Sequence, residues 1–338
     1  MSLNYCLTFD YELFGSGKGC VFKNLVEPTS KILDLLKQLN VKATFFIEQL
    51  EIKAIIDRAS EFPNNAVYQR EAKVISEQLA RMLKEGHDLQ LHLHPQWFGA
   101  EYKSNCWILN FDYWRFSSLP TKSDDKAEPS KLNLLIQGKQ YLERLLTPIS
   151  SDYECIGFRA GGYNLGFDES TYIAFKDAGI LYDSSLCPGY VTHSKLSAYN
   201  YSSYESDAVF SLPYGTFEFP LLTKFSSLNE RLSFARIFSA LKSKRLKKVE
   251  GGFEPSCDDS KAIASANANF DVCLSSRVEI NYFLEHMQNK VDTSTVLIGH
   301  PKDYSIFSPL ASIIRRLKKE GFTPQTMTDL WKQNHVHN

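Results

Sequence analysis

Two periods of apolar and polar alternation run along this chain. From Tyr5 to Glu12 the period is two: Thr8, Asp10 and Glu12 share one face of a predicted strand, and Leu7, Phe9 and Tyr11 share the other. From Asp88 to His94 it is stricter still, with Asp88, Gln90, His92 and His94 on one face and Leu89, Leu91 and Leu93 on the other. Between these strands the spacing turns helical. A helix opens at Pro28 with Ile32, Leu35, Leu36 and Leu39 in register, a strand covers Val41 to Ile47, and a helix from Glu71 to Glu85 carries Ile75, Leu79, Met82 and Leu83 on one face and stops at Gly86.

The alternation continues downstream. Helices are predicted at Ser130–Leu146, at Glu169–Ala178 behind an Asp168 cap, at Arg277–Gln288 and at Pro309–Lys319 behind Ser308. Strands are predicted at Cys155–Ala160, Leu181–Leu186 and Thr295–Gly299. Strands alternating with helices of this length give an α/β fold on a parallel sheet, open or closed into a barrel. Two connections break the rhythm. One, at 96–128, is rich in aromatics from Trp97 to Phe116. The other, at 187–270, holds hairpin-like pieces around Phe210 to Pro220, a helix near Leu228 to Leu241 and a polar run from Glu250 to Asn269. We read one domain over residues 1–338 with these two insertions.

Composition narrows the class without naming a function. With 43% hydrophobic and 23% charged residues the chain reads as globular, and a net charge of −1 offers no reason for a nucleic-acid partner or an anionic membrane surface. The basic run Lys242, Lys244, Arg245, Lys247 and Lys248 reads as the solvated end of a helix. Seven cysteines without a CxxC pair argue against a zinc ribbon or a disulfide framework and for a reducing compartment. No apolar run approaches the ~18 residues of a membrane span, and the N-terminus lacks signal-peptide character, so a cytoplasmic location is expected.

The polar residues gather at the C-terminal ends of the predicted strands, where parallel α/β folds build their sites. Two imidazoles at i and i+2, His92 and His94, can hold one metal ion with a carboxylate from a neighbouring strand, and Asp88 and Gln90 can accept from their ring N–H groups. Asp10 and Glu12 form an acidic pair that calls for a cation or an arginine. Gly157-Phe158-Arg159-Ala160-Gly161-Gly162 offers a guanidinium able to grip a carboxylate, then glycines that permit close backbone approach. Asp183 and His300 end two further strands.

Taken in order, these motifs resemble the NodB-homology polysaccharide deacetylases. Thr8-Phe9-Asp10 is similar to the first motif, Lys42-Ala43-Thr44-Phe45-Phe46 to the second strand, and Gly86-His87-Asp88-Leu89-Gln90-Leu91-His92 to the metal-histidine motif. Arg159, Asp183 and Leu297 with His300 resemble the later ones. The resemblance implies an irregular (β/α) barrel of about seven parallel strands with helices outside. It also implies Asp10 as general base, His300 as general acid, Arg159 tuning Asp10 and Asp183 tuning His300. Two departures stand out. Many members carry a second Asp where this chain has Tyr11, so Glu12 takes the ligand role. The metal histidines are usually spaced more widely than His92 and His94, which leaves His87 as a reserve ligand.

The implied activity is a metal-dependent N-deacetylase acting on an amino-sugar glycan or its cytoplasmic precursor, nucleotide- or lipid-linked, during assembly of a surface polysaccharide. Two His and one carboxylate suit zinc and accept cobalt or nickel. The rival readings are a catalytically inactive carbohydrate-binding relative and a metal-independent amide hydrolase on the same barrel. The aromatic stretch from Trp97 to Phe116 is either a platform for sugar rings or a cover for the barrel's flank.

Overall fold

The computed structural model describes residues 3–125, 127–193, 196–249, 267–290 and 294–336, with the side chains of 244–249, 267, 268 and 336 left aside. In chain order the elements are β1 (Asn4–Tyr11), α1 (Glu27–Gln38), β2 (Thr44–Glu48), α2 (Gln49–Glu61), α3 (Ala66–Lys84), β3 (Asp88–Leu93), β4 (Glu101–Lys103), β5 (Cys106–Ile108), α4 (Lys131–Leu146), β6 (Gly157–Ala160), α5 (Glu169–Ala178) and β7 (Tyr182–Asp183). Then follow β8 (Val191–His193), β9 (Ala198–Asn200), β10 (Phe210–Ser211), β11 (Phe217–Glu218), β12 (Thr223–Phe225), α6 (Phe234–Val249), β13 (Asn267–Asn269), α7 (Arg277–Gln288), β14 (Thr295–Gly299), α8 (Leu310–Lys319), β15 (Thr323–Gln325) and α9 (Met327–Val336).

The main sheet runs β10-β11-β7-β6-β3-β2-β1-β14, with β15 paired to the start of β1. Every pairing in it is parallel except β10–β11. The sheet curls until its ends nearly meet, and only single bridges, Leu221 to Val296 and Asp271 to Ile298, link the far edge to β14. This is the irregular, incompletely closed α/β barrel expected from the motifs, with helices outside.

Alternation decides what fills each layer. Leu7, Phe9 and Tyr11, with Leu89, Leu91 and Leu93, point outward into a large core shared with the helices. Cys6, Phe46, Tyr182, Phe219 and Ile298 point inward and form a smaller core with Met327 and Leu330. The inward row therefore becomes apolar at the bottom and polar at the top. Helix ends follow the expected chemistry. Asp168 accepts from Thr171 N at the start of α5, and Gly179 closes that helix in the left-handed region at φ 69°.

Several sequence expectations are corrected. The helix α2 follows β2 without a break, and no side chain caps its start, so no signal separates the two. The pair β15 and α9 also lies beyond the predicted elements. Ser308 does not cap α8: its Oγ accepts from Ser305 N, and Pro309 takes the flanking position. The strand expected over Leu181–Leu186 shortens to β7, because Asp183 Oδ2 accepts from Ser185 N and turns the chain. The helix placed near Leu228–Leu241 runs from Phe234 to Val249. Most of the polar run from Glu250, through residue 266, lies outside the described residues.

His87, the reserve ligand, stands at the opposite end of β3 from the polar cluster, where its Nδ1 accepts from Ala43 N at 3.1 Å. Asp88 and Gln90 are not acceptors for the His92 and His94 rings either. Asp88 binds Thr44 and Thr328, and Gln90 Oε1 accepts from Ile156 N and Gly157 N, so both tie the lower half of the barrel together.

Burial, reinforced by Lys42, pushes the His87 imidazole down from 6.5 to about 4. Below pH 6.5 the unfolded chain takes up a proton that the folded chain refuses until about pH 4. Stability supported by this residue is thus complete above pH 6.5 and is lost as the pH falls to 4, by about 3 kcal/mol at most. Denaturant titrations of wild type and His87→Gln across that window should show a steeper acid loss in wild type. Parallel pH profiles would remove the assignment.

Candidate active site

At the top of the barrel the inward rows of β1, β2 and β3 end in Asp10, Glu12, Glu48, His92 and His94, all buried. Their register explains the meeting. Asp10 pairs with Phe46 and Glu48 with His92 across adjacent parallel strands, so carboxylates and imidazoles come level. Tyr11, pointing outward, bonds Gln78 on α3 at 2.9 Å and has no place among these groups.

Arg159, fully buried, organises one side. Its Nη1 donates to Asp10 Oδ1 at 2.7 Å and to Thr8 Oγ1 at 3.0 Å, while Nε donates to Ser184 O at 2.8 Å. Burial alone would raise the Asp10 carboxyl. The guanidinium outweighs it, with His92 and His300 assisting, and holds Asp10 below the usual carboxylate range.

Glu12 faces two ways. Its Oε1 lies 2.5 Å from Lys302 Nζ, and its Oε2 lies 3.0 Å from His94 Nδ1 and 3.4 Å from His92 Nε2. Burial works against its charge, but Lys302 and then His94 override it and hold the group well below its ordinary value. Glu51 goes the other way. Burial and the nearby Glu48 and Glu12 push it well up, and its oxygens accept from Leu13 N at 3.1 and 3.2 Å.

The imidazoles report what the cluster needs. His92 Nδ1 lies 2.8 Å from Arg159 O, a bond it can make only as an N–H donor. Its Nε2 is buried, faces carboxylate oxygens and has no hydrogen-bond partner among the described residues, so a neutral ring presents a lone pair to them. For a neutral ring, lone pair faces lone pair, which a proton or a metal cation between them relieves. His94 Nδ1 sits between Glu12 Oε2 and Glu48 Oε2, at 3.0 and 3.1 Å. Burial disfavours its charge, yet the two glutamates push it up to about 10.

Glu12, His92 and His94 bring one ligand atom each to within 4.8 Å of one another. Two nitrogen donors and one carboxylate fit a divalent transition metal, and the carbonyl of Arg159 fixes the tautomer that ligation by His92 requires.

His300 stands beside this group. Its Nε2 is 3.5 Å from Asp10 Oδ2, and its Nδ1 is 3.7 Å from Asp271 Oδ2. Burial opposes its protonation, but Asp10 and Asp271 push it up to about 10. The expected partner of His300, Asp183, is elsewhere. Its carboxyl accepts from Ser185 N and Ser185 Oγ, next to Glu218 on the neighbouring strand. Asp271, carried by a bridge to β14, occupies the place given to Asp183.

Sequence reasoning missed Glu48, Glu51, Lys302 and Asp271. Glu48 ends a strand at the same mouth as the other polar residues, so the rule that exposed the others reaches it too. Lys302 follows His300-Pro301 directly. Asp271 sits directly after the irregular 187–270 connection and carries no periodic signal.

Residues 5–126 match the family model described as polysaccharide deacetylase, the family that the ordered motifs resemble. No curated protein matches the chain. Among solved structures, the chain is similar to a Mycobacterium smegmatis protein titled a polysaccharide deacetylase, at 13% identity over 99% of this chain and 92% of that one, TM-score 0.47. It is also similar to a family 4 acetyl xylan esterase from Clostridium thermocellum, solved with a cobalt ion, at 12% identity over 97% and 90%, TM-score 0.39. A pseudoenzyme from Bacillus anthracis matches at 11% identity over 98% and 66%, TM-score 0.41.

Gly161 yields a test of the cluster. A Cβ there would stand 2.4 Å from His94 Cδ2 and 2.7 Å from Nε2, too close to accommodate without moving the ring. Gly161→Ala should therefore weaken zinc binding by roughly tenfold or more while the fold persists. Calorimetric titration with zinc, alongside circular dichroism, measures both. Unchanged affinity would count against His94 as a ligand.

Proposed function

We propose that the chain is a metal-dependent N-deacetylase of an amino sugar, with Glu12, His92 and His94 holding the metal and Asp10 and His300 moving protons. The reading rests chiefly on the buried Nε2 of His92, without a hydrogen-bond partner among the described residues and 3.4 Å from Glu12 Oε2, with an acid–base pair of residues next to it. When bound, a divalent ion would polarise the acyl carbonyl and acidify a water molecule.

The chain's own residues supply the rest. Asp10, kept ionised by Arg159, accepts the proton that water loses as its oxygen adds to the acyl carbon. His300 gives a proton to the sugar nitrogen as the C–N bond breaks, leaving a free amine and a carboxylic acid. Asp271 Oδ2 lies 3.7 Å from His300 Nδ1, and its charge favours the ring orientation that turns Nε2 toward the reacting centre, so it acts as a positioning residue. Lys302 fixes Glu12 Oε1 and so leaves Oε2 to the imidazoles.

Trp114 gives the substrate class its support. Its ring meets His94 edge-on at 6.0 Å and stacks on Phe111 at 5.8 Å, at the rim of the site. An aromatic face there suits a pyranose ring. We assign the substrate to the nucleotide- or lipid-linked amino sugars, met in the cytoplasm.

Asp10→Asn should lower kcat by roughly 10²–10⁴-fold in an acetate-release assay on N-acetylated sugars, with zinc affinity kept. A chelator should abolish turnover, and zinc, cobalt or nickel should restore it. Activity that survives chelation would instead establish the metal-independent hydrolase. Trp114→Ala should raise KM more than it lowers kcat, and a loss confined to kcat would remove its role as a platform.

A further inference from the structure

Away from the metal cluster, α6 and the loop after β14 expose a continuous apolar ridge. Phe234 is 77% exposed and Ile306 90%, and Phe307 joins them, its ring 6.2 Å from Phe234 and 5.7 Å from Phe238. Isolated exposed apolar residues need no explanation, but a contiguous patch does.

Charge flanks this ridge on both sides. Lys23, Lys31 and Lys242 line the hollow beside Phe238 and Ile306, and Arg277 and Arg316 line the one beside Phe234 and Phe307. Glu27 is the one acid among the residues lining the two hollows. In sequence, α6 continues through Lys244, Arg245, Lys247 and Lys248. The net charge of −1 conceals this concentration of cations.

We propose that this surface seats the protein on an anionic lipid bilayer, with the aromatic and aliphatic side chains entering the acyl boundary and the lysines and arginines meeting phosphate headgroups. Charge selects the occupant. A second copy meeting the same patch about a two-fold axis would set cations against cations, whereas an anionic interface complements both the ridge and its fringe. Among the described residues no helix is long and apolar enough to cross a membrane, so the contact is peripheral.

The ridge is also tied to the candidate site. Lys242 Nζ donates to Lys302 O at 3.0 Å and Ser239 Oγ bonds Asp303, so α6 grips the loop that carries His300 and Lys302. A saccharide held by a lipid would then reach the site from the interface. The docking surface does not depend on the deacetylase reading, because binding is measured without turnover.

The test is cosedimentation of the full chain with phosphatidylcholine vesicles and with phosphatidylcholine–phosphatidylglycerol vesicles, at low and high salt. Binding is expected only to the phosphatidylglycerol-containing vesicles, with release by salt. The double variant Phe234→Ser, Ile306→Ser should bind roughly tenfold or more weakly while keeping its circular dichroism, since both side chains are exposed. Four results would overturn the proposal: no binding to either vesicle, equal binding to both, wild-type binding by the variant, or self-association of the wild type that the variant abolishes.

Discussion

Everything at the barrel mouth follows from packing Asp10, Glu12, Glu48 and Glu51 into one nearly dry space. A buried carboxylate costs several kcal/mol unless positive charge or strong donors meet it. Arg159 answers Asp10, Lys302 answers half of Glu12, and Glu51 is driven toward its neutral form. The side of Glu12 and Glu48 that faces the imidazoles is met by His94, which they hold toward its protonated form. A divalent cation would meet the same carboxylate charge at a place already furnished with nitrogen donors.

This division gives the two sides of the site different characters. Arg159 is fixed by Ser184, Thr8 and Asp10 and stacks over Phe46 at 4.1 Å, so Asp10 is held in a rigid frame. His300 lies on the more open side, where the loop from β14 supplies it together with Lys302. Rigid placement suits the group that must stay ionised. The more accessible side suits the proton-donating role proposed for His300.

Much of this was legible because period-two alternation is unforgiving. With Leu89, Leu91 and Leu93 buried against helices, His92 had to point inward, and the same logic turned Asp10 and Glu12 inward and Tyr11 outward. What the sequence hid was of two kinds. The helix α2 had no boundary signal, and Asp271 reaches His300 by a long excursion through an irregular connection, which spacing does not reveal. Asp183 was the natural substitute on pattern alone, ending a strand at the right level. Only its local bonds to Ser185 show that its carboxyl is already engaged. The net charge is silent in a similar way, because a sum over the chain erases how its cations are distributed.

The pairing of β1 has a bearing on how the molecule comes together. Tyr5 lies beside Thr295 and Asn4 beside Thr323, so the first strand gains one of its neighbours, and the partner for its opening residues, only from the last part of the chain. Contacts so distant in sequence are slow to close. During synthesis the strand bearing Asp10 must wait until β14 and β15 have been made, paired on one side by β2 alone. The acidic mouth is thus the portion of the barrel completed latest, and a chain cut short before β14 would carry its carboxylates on an unsealed edge.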